Sequence, residues 1–132
     1  MKAVFADTFC WVALTSPADP AFERSHQIKD QVVTIDEVLT EYLTFFSASE
    51  YLRRKAASNV QMILQEPDVH VIPQSRESFL AGLKLYQARP DKGYSLTDYI
   101  SMCAMRTEGI TDVLTNDRHF EQEGYHALFR GV

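Results

Sequence analysis

Short runs of apolar and β-branched residues recur along the chain, and at least one helix-length segment separates each run from the next. They occupy residues 3–6, 32–35, 69–72 and 112–115. Runs of this length, bounded by polar residues or Pro, are typical of buried strands. Strands that alternate with helices favour a mainly parallel sheet with helices on both faces. The pattern therefore predicts an α/β fold, a three-layer α/β/α sandwich, with a further short edge strand at residues 127–129.

The segments between the predicted strands carry helix signals. Asp36 and Ser75 stand where N-cap residues are expected, and Gly109 stands at a C-cap position. The predicted helices span residues 9–14, 20–30, 37–48, 49–65, 76–88 and 96–108. In the segment 49–65, the side chains expected to face the core are Leu52, Val60, Ile63 and Leu64.

Length and composition indicate one compact domain with a sizeable core. The chain has 132 residues, 45% of them hydrophobic, and neither a repeat nor a linker is evident. We therefore expect residues 1–132 to form a single domain. The net charge of -5 disfavours a protein that binds nucleic acid by charge alone. It is consistent with a carboxylate-rich metal site, because bound cations offset such acids locally.

The cysteines and the hydrophobic runs bear on the cellular compartment. Cys10 and Cys103 lie in apolar surroundings without a Cys or His at metal-ligand spacing, so buried free thiols are expected. No apolar run approaches transmembrane length. Asp7 interrupts the apolar run near the N-terminus, which disfavours a secretory signal peptide. A cytoplasmic protein is the expectation.

Carboxylates stand beside the predicted strands in positions that bring them toward one edge of the sheet. Asp7 follows the first strand and Asp117 follows the fourth. Glu41 lies in the second turn of the helix after strand two, and Asp98 in the first turn of the helix before strand four. In parallel sheets, ligand sites lie at the carboxyl ends of the strands. Acids gathered there repel one another, and a hard divalent cation such as Mg²⁺ or Mn²⁺ removes that conflict.

Each acid also has a purely structural interpretation. Asp7 and Asp117 fit helix N-caps, and Ser95 with Asp98 fits a capping box. Glu41 fits an ordinary surface residue. These alternatives stay open when each residue is considered by itself.

The phase of the helix distinguishes two glutamates. At about 100° per residue, Glu41 borders the apolar stripe formed by Val38, Leu39, Tyr42 and Phe45. Glu37 points away from that stripe and is expected to face water. Glu41 is therefore the better candidate for a cleft at the sheet edge.

The remaining ionisable residues give weaker signals. Arg118 is the basic residue nearest the acids in sequence and is a candidate for substrate binding, ahead of Arg89, Lys92 and the basic triplet 53–55. The histidines are dispersed, so a structural or surface role is expected for each of them, namely His26, His70, His119 and His126.

The acids and their neighbours resemble the pattern of a PIN domain, the fold of ribonuclease toxins in VapBC-type toxin–antitoxin pairs. The matching segments are residues 4–8, 34–41, 95–98 and 114–120. The resemblance implies an α/β/α sandwich and Mg²⁺- or Mn²⁺-dependent RNA cleavage. It implies catalytic and metal-binding roles for Asp7, Glu41, Asp98 and Asp117, with Thr115 and Ser95 orienting them.

One position departs from the family pattern. Many relatives carry a small polar residue two positions after the first Asp, where this chain has Phe9. The same position bears on a phosphatase or phospho-receiver with Asp7 as nucleophile, because phosphatases of that type usually show Asp-x-Asp. Position 9 therefore disfavours that alternative.

The resemblance also implies partners. It predicts an RNA substrate, an antitoxin that covers the active-site cleft, and a homodimer. The aromatic segments 9–11 and 42–46 flank two of the acids and are candidates to line an antitoxin groove. Core packing is the alternative for most of these aromatic residues, and Trp11 is the best candidate for partial exposure. A non-catalytic PIN-like RNA-binding module and a housekeeping RNA-processing nuclease remain the alternatives to a toxin.

Overall fold

The computed structural model describes residues 2–131, and these form a five-stranded sheet flanked by helices. The strands run in the spatial order β3-β2-β1-β4-β5, and every neighbouring pair is parallel. Their bounds are β1 Ala3–Ala6, β2 Gln31–Ile35, β3 Val69–Ile72, β4 Asp112–Leu114 and β5 His126–Ala127. The predicted α/β/α sandwich is confirmed.

The helices occupy the segments between the strands. Their bounds are α1 Thr8–Thr15, α2 Phe22–Ser25, α3 Asp36–Phe45, α4 Glu50–Gln65, α5 Arg76–Ala88, α6 Leu96–Glu108 and α7 Arg118–Gln122. Ser75 and Ser95 each form a full capping box at the start of α5 and α6. Gly109 ends α6 in the left-handed conformation, at φ 69°, that the C-cap position requires.

The order of the strands creates a crevice at one edge of the sheet. The chain passes outward from β1 through β2 to β3, then returns to the other side of β1 to form β4 and β5. With the usual right-handed crossovers, α1–α4 cover one face and α5–α7 cover the other. The direction of winding therefore reverses between β1 and β4. The carboxyl ends of these two strands are where an open α/β sheet forms its ligand site.

The core lies on both faces of the central strands. Val4, Phe5 and Ala6 of β1 are completely buried. On the α1–α4 face, the hydroxyl of buried Tyr42 lies 2.6 Å from Thr15 Oγ1 and accepts a hydrogen bond from Asn59 Nδ2 at 3.0 Å. These bonds join α1, α3 and α4 around a single polar group.

The structure corrects the helix predicted at residues 20–30. Only Phe22–Ser25 is helical, and turns and irregular backbone make up the rest of that segment. A segment with so few apolar side chains has little packing to stabilise a longer helix. Asp36 is the first residue of α3, whose N-cap is Ile35. The Asp36 carboxylate accepts a hydrogen bond from the Gln74 backbone N–H at 2.8 Å, which ties α3 to the segment after β3.

The inward face of α4 is only partly as predicted. Leu52, Val60 and Ile63 pack against the core, whereas Leu64 is 57% exposed. The single-domain prediction for residues 1–132 extends one residue beyond the described range at each end and stays a prediction. None of the helices within residues 2–131 is long and apolar enough to cross a membrane. Both cysteines are free, with Cys10 buried and Cys103 half-buried.

Candidate metal centre

Four carboxylates line one cleft of about 640 Å³ at the carboxyl edge of the sheet. Asp7 follows β1, Asp117 follows β4 and caps α7, Asp98 lies in the first turn of α6, and Glu41 lies on α3. Strands and helices that are distant in sequence thus deliver their acids to one place. The cleft lies between β1 and β4, where the winding of the sheet reverses.

Asp7 is the deepest of these acids, at only 8% exposure. It stands at the N-cap position of α1, but its side chain makes no capping hydrogen bond. Its Oδ2 instead accepts a hydrogen bond from the Thr115 hydroxyl at 3.0 Å. Burial raises the pKa of Asp7 to about 7, with smaller increases from the charges of Asp98 and Glu41, while the Thr8 backbone N–H and the Thr115 hydroxyl oppose the increase.

Thr115 connects two of the acids. Its hydroxyl donates to Asp7 and accepts from the Asp117 backbone N–H at 3.1 Å. The residue is completely buried directly after β4. A buried hydroxyl with both hydrogen bonds made holds its partners in fixed orientation. Thr115 therefore sets the position of the Asp7 carboxylate relative to the backbone that carries Asp117.

Asp98 combines a capping interaction with a place in the cleft. Its Oδ2 accepts a hydrogen bond from the Ser95 backbone N–H at 3.0 Å, and the Ser95 hydroxyl accepts one from the Asp98 backbone N–H at 3.0 Å. The capping box inferred from the sequence is therefore present. It orients the side chain without removing Asp98 from the cleft, because the same Oδ2 lies 3.1 Å from His119 Nδ1.

Asp117 and His119 are linked through the first turn of α7. Asp117 Oδ1 accepts a hydrogen bond from the His119 backbone N–H at 2.9 Å, so Asp117 also serves as a true N-cap. His119 Nδ1 lies 3.4 Å from the same Oδ1. The Tyr94 ring packs on the imidazole, with 4.8 Å between ring centroids. The imidazole is thus held between two carboxylates and an aromatic ring.

The donor atoms fit a hard divalent cation. One ligand atom from each of Asp98, Asp117 and His119 can be chosen so that all three lie within 4.8 Å of one another. Carboxylate oxygens predominate in the cleft, and such oxygens suit Mg²⁺ and Mn²⁺. In the part of the chain that the structure describes, no Lys or Arg forms an ion pair with any of the four cleft acids.

Glu41 reaches the cleft from the opposite side. It is exposed, and its Oε1 accepts a hydrogen bond from the Thr8 hydroxyl at 2.6 Å. Glu37 does not line the acid cleft, in keeping with the helical phase. It is half-buried beside an adjoining groove, however, so the prediction that it faces open water is wrong.

His119, Asn116 and Arg130 line the cleft, although the sequence does not place them there. Phe9, which is expected to flank Asp7 and to line a groove, lines the cleft as well. The signal for His119 is its position two residues after an N-cap Asp, where the first helical turn brings the ring back beside the cap. Arg118 also lines the cleft and is exposed, as its predicted role requires.

Trp11 differs from its prediction. The side chain is only 7% exposed, so it is not a partly exposed interface residue. Its Nε1 is buried and has no hydrogen-bond partner among residues 2–131. The ring lies beneath a groove between α1, α3 and α4, where it contributes to the floor.

Several solved structures have a similar fold. No protein-family model matches the chain. No curated protein matches it either. Among solved structures, the Mycobacterium tuberculosis VapC20 toxin, which cleaves the sarcin–ricin loop, superposes with a TM-score of 0.79 at 23% identity, covering 92% of this chain and 95% of the toxin.

Two further structures are similar. A toxin–antitoxin complex from Klebsiella pneumoniae matches with a TM-score of 0.61 at 16% identity, covering 87% of each chain. VapBC2 from Rickettsia felis, bound to a DNA fragment from its promoter, matches with a TM-score of 0.66 at 15% identity, covering 95% of this chain and 96% of that one. The chain therefore has the PIN-like α/β/α fold that the VapC toxins share.

Proposed function

We propose that the chain is a Mg²⁺- or Mn²⁺-dependent endoribonuclease that hydrolyses RNA phosphodiester bonds, and that it is the toxin of a toxin–antitoxin pair. One observation carries the proposal. Four carboxylates line one cleft, and no Lys or Arg within residues 2–131 forms an ion pair with them. Folding alone gives no reason to gather uncompensated acids, whereas metal-assisted hydrolysis needs them.

The cleft residues would have different roles in such a reaction. Asp7, Glu41, Asp98 and Asp117 would hold the cation, and His119 stands close enough to join them. A bound divalent cation supplies a water of lowered pKa and withdraws charge from the phosphate oxygens. Thr115 and Ser95 keep the carboxylates oriented through their hydrogen bonds. Exposed Arg118 is placed to attract the phosphate.

The proposed antitoxin partner rests on the neighbouring structures, two of which are described as toxin–antitoxin assemblies. A mainly apolar groove of about 250 Å³ is compatible with it, because an amphipathic helix that lays its apolar face into a hydrophobic groove is one of the recurring modes of peptide recognition. Exposed Met62 stands at its rim above buried Trp11. The homodimer remains a prediction, supported by the exposed apolar side chains Leu80 and Tyr86 on α5.

The nuclease proposal is tested with purified protein and single-stranded RNA. Cleavage should appear with added Mg²⁺ or Mn²⁺ and stop in excess EDTA. Undiminished cleavage in EDTA would reject the metal mechanism. A rise in melting temperature with Mg²⁺ but without cleavage would instead support a non-catalytic RNA-binding module.

The toxin proposal is tested by expression together with the product of an adjacent small gene. Growth arrest that the second gene relieves, with co-purification of both products, is the expected result. Met62→Glu should weaken co-purification, and Gln61→Glu, which adds the same charge one residue away on exposed α4, is the matched control. A chain that is harmless when over-expressed and purifies alone beside that gene would indicate a housekeeping nuclease.

A further inference from the structure

We propose that Phe9 and Arg130 form a nucleotide-binding subsite at one end of the acid cleft, in which the Phe9 ring stacks on a base of single-stranded RNA and the Arg130 guanidinium binds the adjacent phosphate. This subsite rests on the proposed ribonuclease function and extends it to substrate binding. Both side chains line the cleft, and neither has a role in holding the carboxylates.

Phe9 is unusual for its location. Among the described residues that line the cleft, it is the one large apolar side chain, surrounded by acids, hydroxyls and basic groups. It is half-buried, so part of the ring stays accessible. Its ring packs against Phe129, with 5.7 Å between centroids and 58° between planes. Because Phe129 is completely buried, Phe9 rests on a rigid support.

Arg130 stands next to this aromatic pair because it directly follows Phe129 in the chain. Its Nη1 donates to the Asn116 carbonyl oxygen at 3.2 Å, and its Nε lies 2.7 Å from Glu121 Oε1. These contacts fix the guanidinium beside the strand end that leads into Asp117, while the side chain remains 41% exposed. An oriented and accessible guanidinium is suited to a phosphate.

A further positive charge stands at the same support. The Arg24 guanidinium lies 5.5 Å from the centroid of the Phe129 ring, which also contacts Phe9. Arg24 and Arg118 are both exposed. Guanidinium groups therefore stand near Phe9 beside the acids of the cleft, although the chain carries a net charge of -5.

The side of the cleft that carries Glu41 has a different character. An adjoining groove of about 490 Å³ shares Thr8 and Glu41 with the cleft and continues along α3. Its described lining residues include Glu37 and exposed Phe45 but no Lys or Arg. A phosphate is therefore favoured at the Phe9 end, where positive charge is available. A basic groove with an accessible aromatic ring is how proteins bind single strands, since unpaired bases expose their faces for stacking.

The test measures KM and kcat of the wild type and its variants on a single-stranded RNA oligonucleotide that contains one cleavage position. The same measurements are made on a series of oligonucleotides in which each nucleotide in turn lacks its base. Phe9→Leu keeps an apolar contact with Phe129 and removes the stacking face. We expect KM to rise roughly tenfold with kcat little changed. The oligonucleotide that lacks the base bound by Phe9 should bind the wild type more weakly than the intact oligonucleotide does. Phe9→Leu should bind both oligonucleotides equally, whereas Phe9→Tyr should behave as the wild type does.

Arg130→Gln should raise KM several-fold and lower the slope of log KM against log salt by about 1, the change expected for one lost phosphate contact. The chain offers a matched control pair on α5, away from the cleft. The Arg76 guanidinium lies 5.5 Å from the centroid of the Phe79 ring, which imitates the aromatic–guanidinium chemistry of the subsite. Phe79→Leu and Arg76→Gln should leave KM and the salt slope unchanged.

The outcomes separate the subsite from the proposed activity. If the wild type cleaves RNA but the removal of a base weakens binding equally in the wild type and in Phe9→Leu, the subsite is overturned and the proposed ribonuclease activity is not. Equal KM increases in the cleft and α5 variants would overturn it as well. A wild type that neither binds nor cleaves RNA would overturn both proposals. Melting temperatures verify folding, and Phe9→Met replaces Phe9→Leu if the latter does not fold.

Discussion

Acidic residues at the two ends of the parallel strands, the amino edge and the carboxyl edge of the sheet, have opposite surroundings. At the amino edge, Asp112 begins β4, 2.6 Å from Lys2 Nζ and 3.3 Å from His126 Nδ1. The hydrogen bond from Lys2 is the main reason that the pKa of Asp112 is lowered. At the carboxyl edge, Asp7 directly follows β1 and forms no ion pair with a basic residue among residues 2–131, and burial raises its pKa to about 7. One acid is neutralised by the chain itself and the other is not.

This difference separates structural acids from candidate functional ones. A buried carboxylate without a counter-charge destabilises the folded state, because its desolvation is not offset. The Asp112 cluster joins β1, β4 and β5 at little cost, since its charges cancel. The charged cleft acids retain a cost that an added cation would remove. The difference supports the proposed ion binding at the carboxyl ends of the strands, whereas the Asp112 cluster joins strands at their amino ends.

The largest expected effect follows from removing the cleft charges one at a time. Each amide substitution should lower RNA cleavage by orders of magnitude while the fold survives, whereas Asp112→Asn should leave cleavage unchanged. The cleft variants are Asp7→Asn, Glu41→Gln, Asp98→Asn and Asp117→Asn. Initial rates of RNA cleavage at saturating Mg²⁺, with circular dichroism to verify folding, provide the measurement.

Glu37→Gln is the matched control on α3, because Glu37 lies one turn before Glu41 and outside the acid cleft. It should retain near-normal cleavage. Equal losses at Glu37 and Glu41 would mean that the acids do not form the proposed site.

The next effect concerns the cation itself. Mg²⁺ or Mn²⁺ should raise the melting temperature, because the ion binds the assembled carboxylates of the folded state and not the unfolded chain. At a hundredfold excess over Kd, the expected stabilisation is about 2.7 kcal/mol. Thermal unfolding of the wild type and of Asp98→Asn, each with and without Mg²⁺, measures it. A similar increase in both proteins would indicate that the ion binds elsewhere.

Asp7 gives a third prediction through pH. Its folded-state pKa of about 7 lies above its usual 3.8, so the folded state holds the proton more tightly. Proton binding by Asp7 therefore stabilises the folded state fully below about pH 4, and this stabilisation is lost as the pH rises through 7. In EDTA, the wild type should lose roughly 4 kcal/mol relative to Asp7→Asn between pH 4 and pH 8, at about 1.36 kcal/mol per pKa unit. Urea unfolding at several pH values tests this, and parallel stability curves for the two proteins would contradict it.

The sequence predicts the sheet edge that carries the site because local signals determine it. Each acid stands immediately after a strand or within the first turns of a helix, so strand order and helix phase suffice to bring Asp7, Glu41, Asp98 and Asp117 to one edge. The capping box of Ser95 and Asp98 is equally local. These features depend on periodicity and on neighbours a few residues away.

The residues whose positions the sequence does not predict, or predicts wrongly, depend on contacts between distant segments. The contact between His119 Nδ1 and Asp98 Oδ2, at 3.1 Å, joins residues that are 21 positions apart in the chain. Trp11 is buried because α3 and α4 pack over α1, and the nearly uniform apolar character of α1 does not by itself show which residues they cover. Leu64 is exposed although it belongs to an apolar stripe of α4. Arg130 lies at the cleft because the preceding residue, Phe129, packs against Phe9 and donates its backbone N–H to the Thr115 carbonyl oxygen at 3.0 Å.

The smallest expected effect comes from the amino edge and has the opposite sign with pH. Because the folded-state pKa of Asp112 is lowered, its contribution is present above its usual pKa of 3.8 and is lost as the pH falls through the folded value. Lys2 is 67% exposed, so solvent screens the pair. Asp112→Asn should therefore lower the melting temperature by only about 1–3 °C at pH 7, and by less at pH 3.

Combining Asp112→Asn with Asp7→Asn gives the sharpest form of the comparison. The two sites lie at opposite ends of the strands and share no hydrogen-bond partner among residues 2–131, so their effects should add. In EDTA at pH 8, the double variant should be more stable than Asp112→Asn by the amount that Asp7→Asn gains over the wild type. In Mg²⁺ the gain should disappear, because the cation already offsets the charge of Asp7. Non-additive melting temperatures, or a gain that persists in Mg²⁺, would show that the acids at the two edges are not held in the different ways inferred from their contacts.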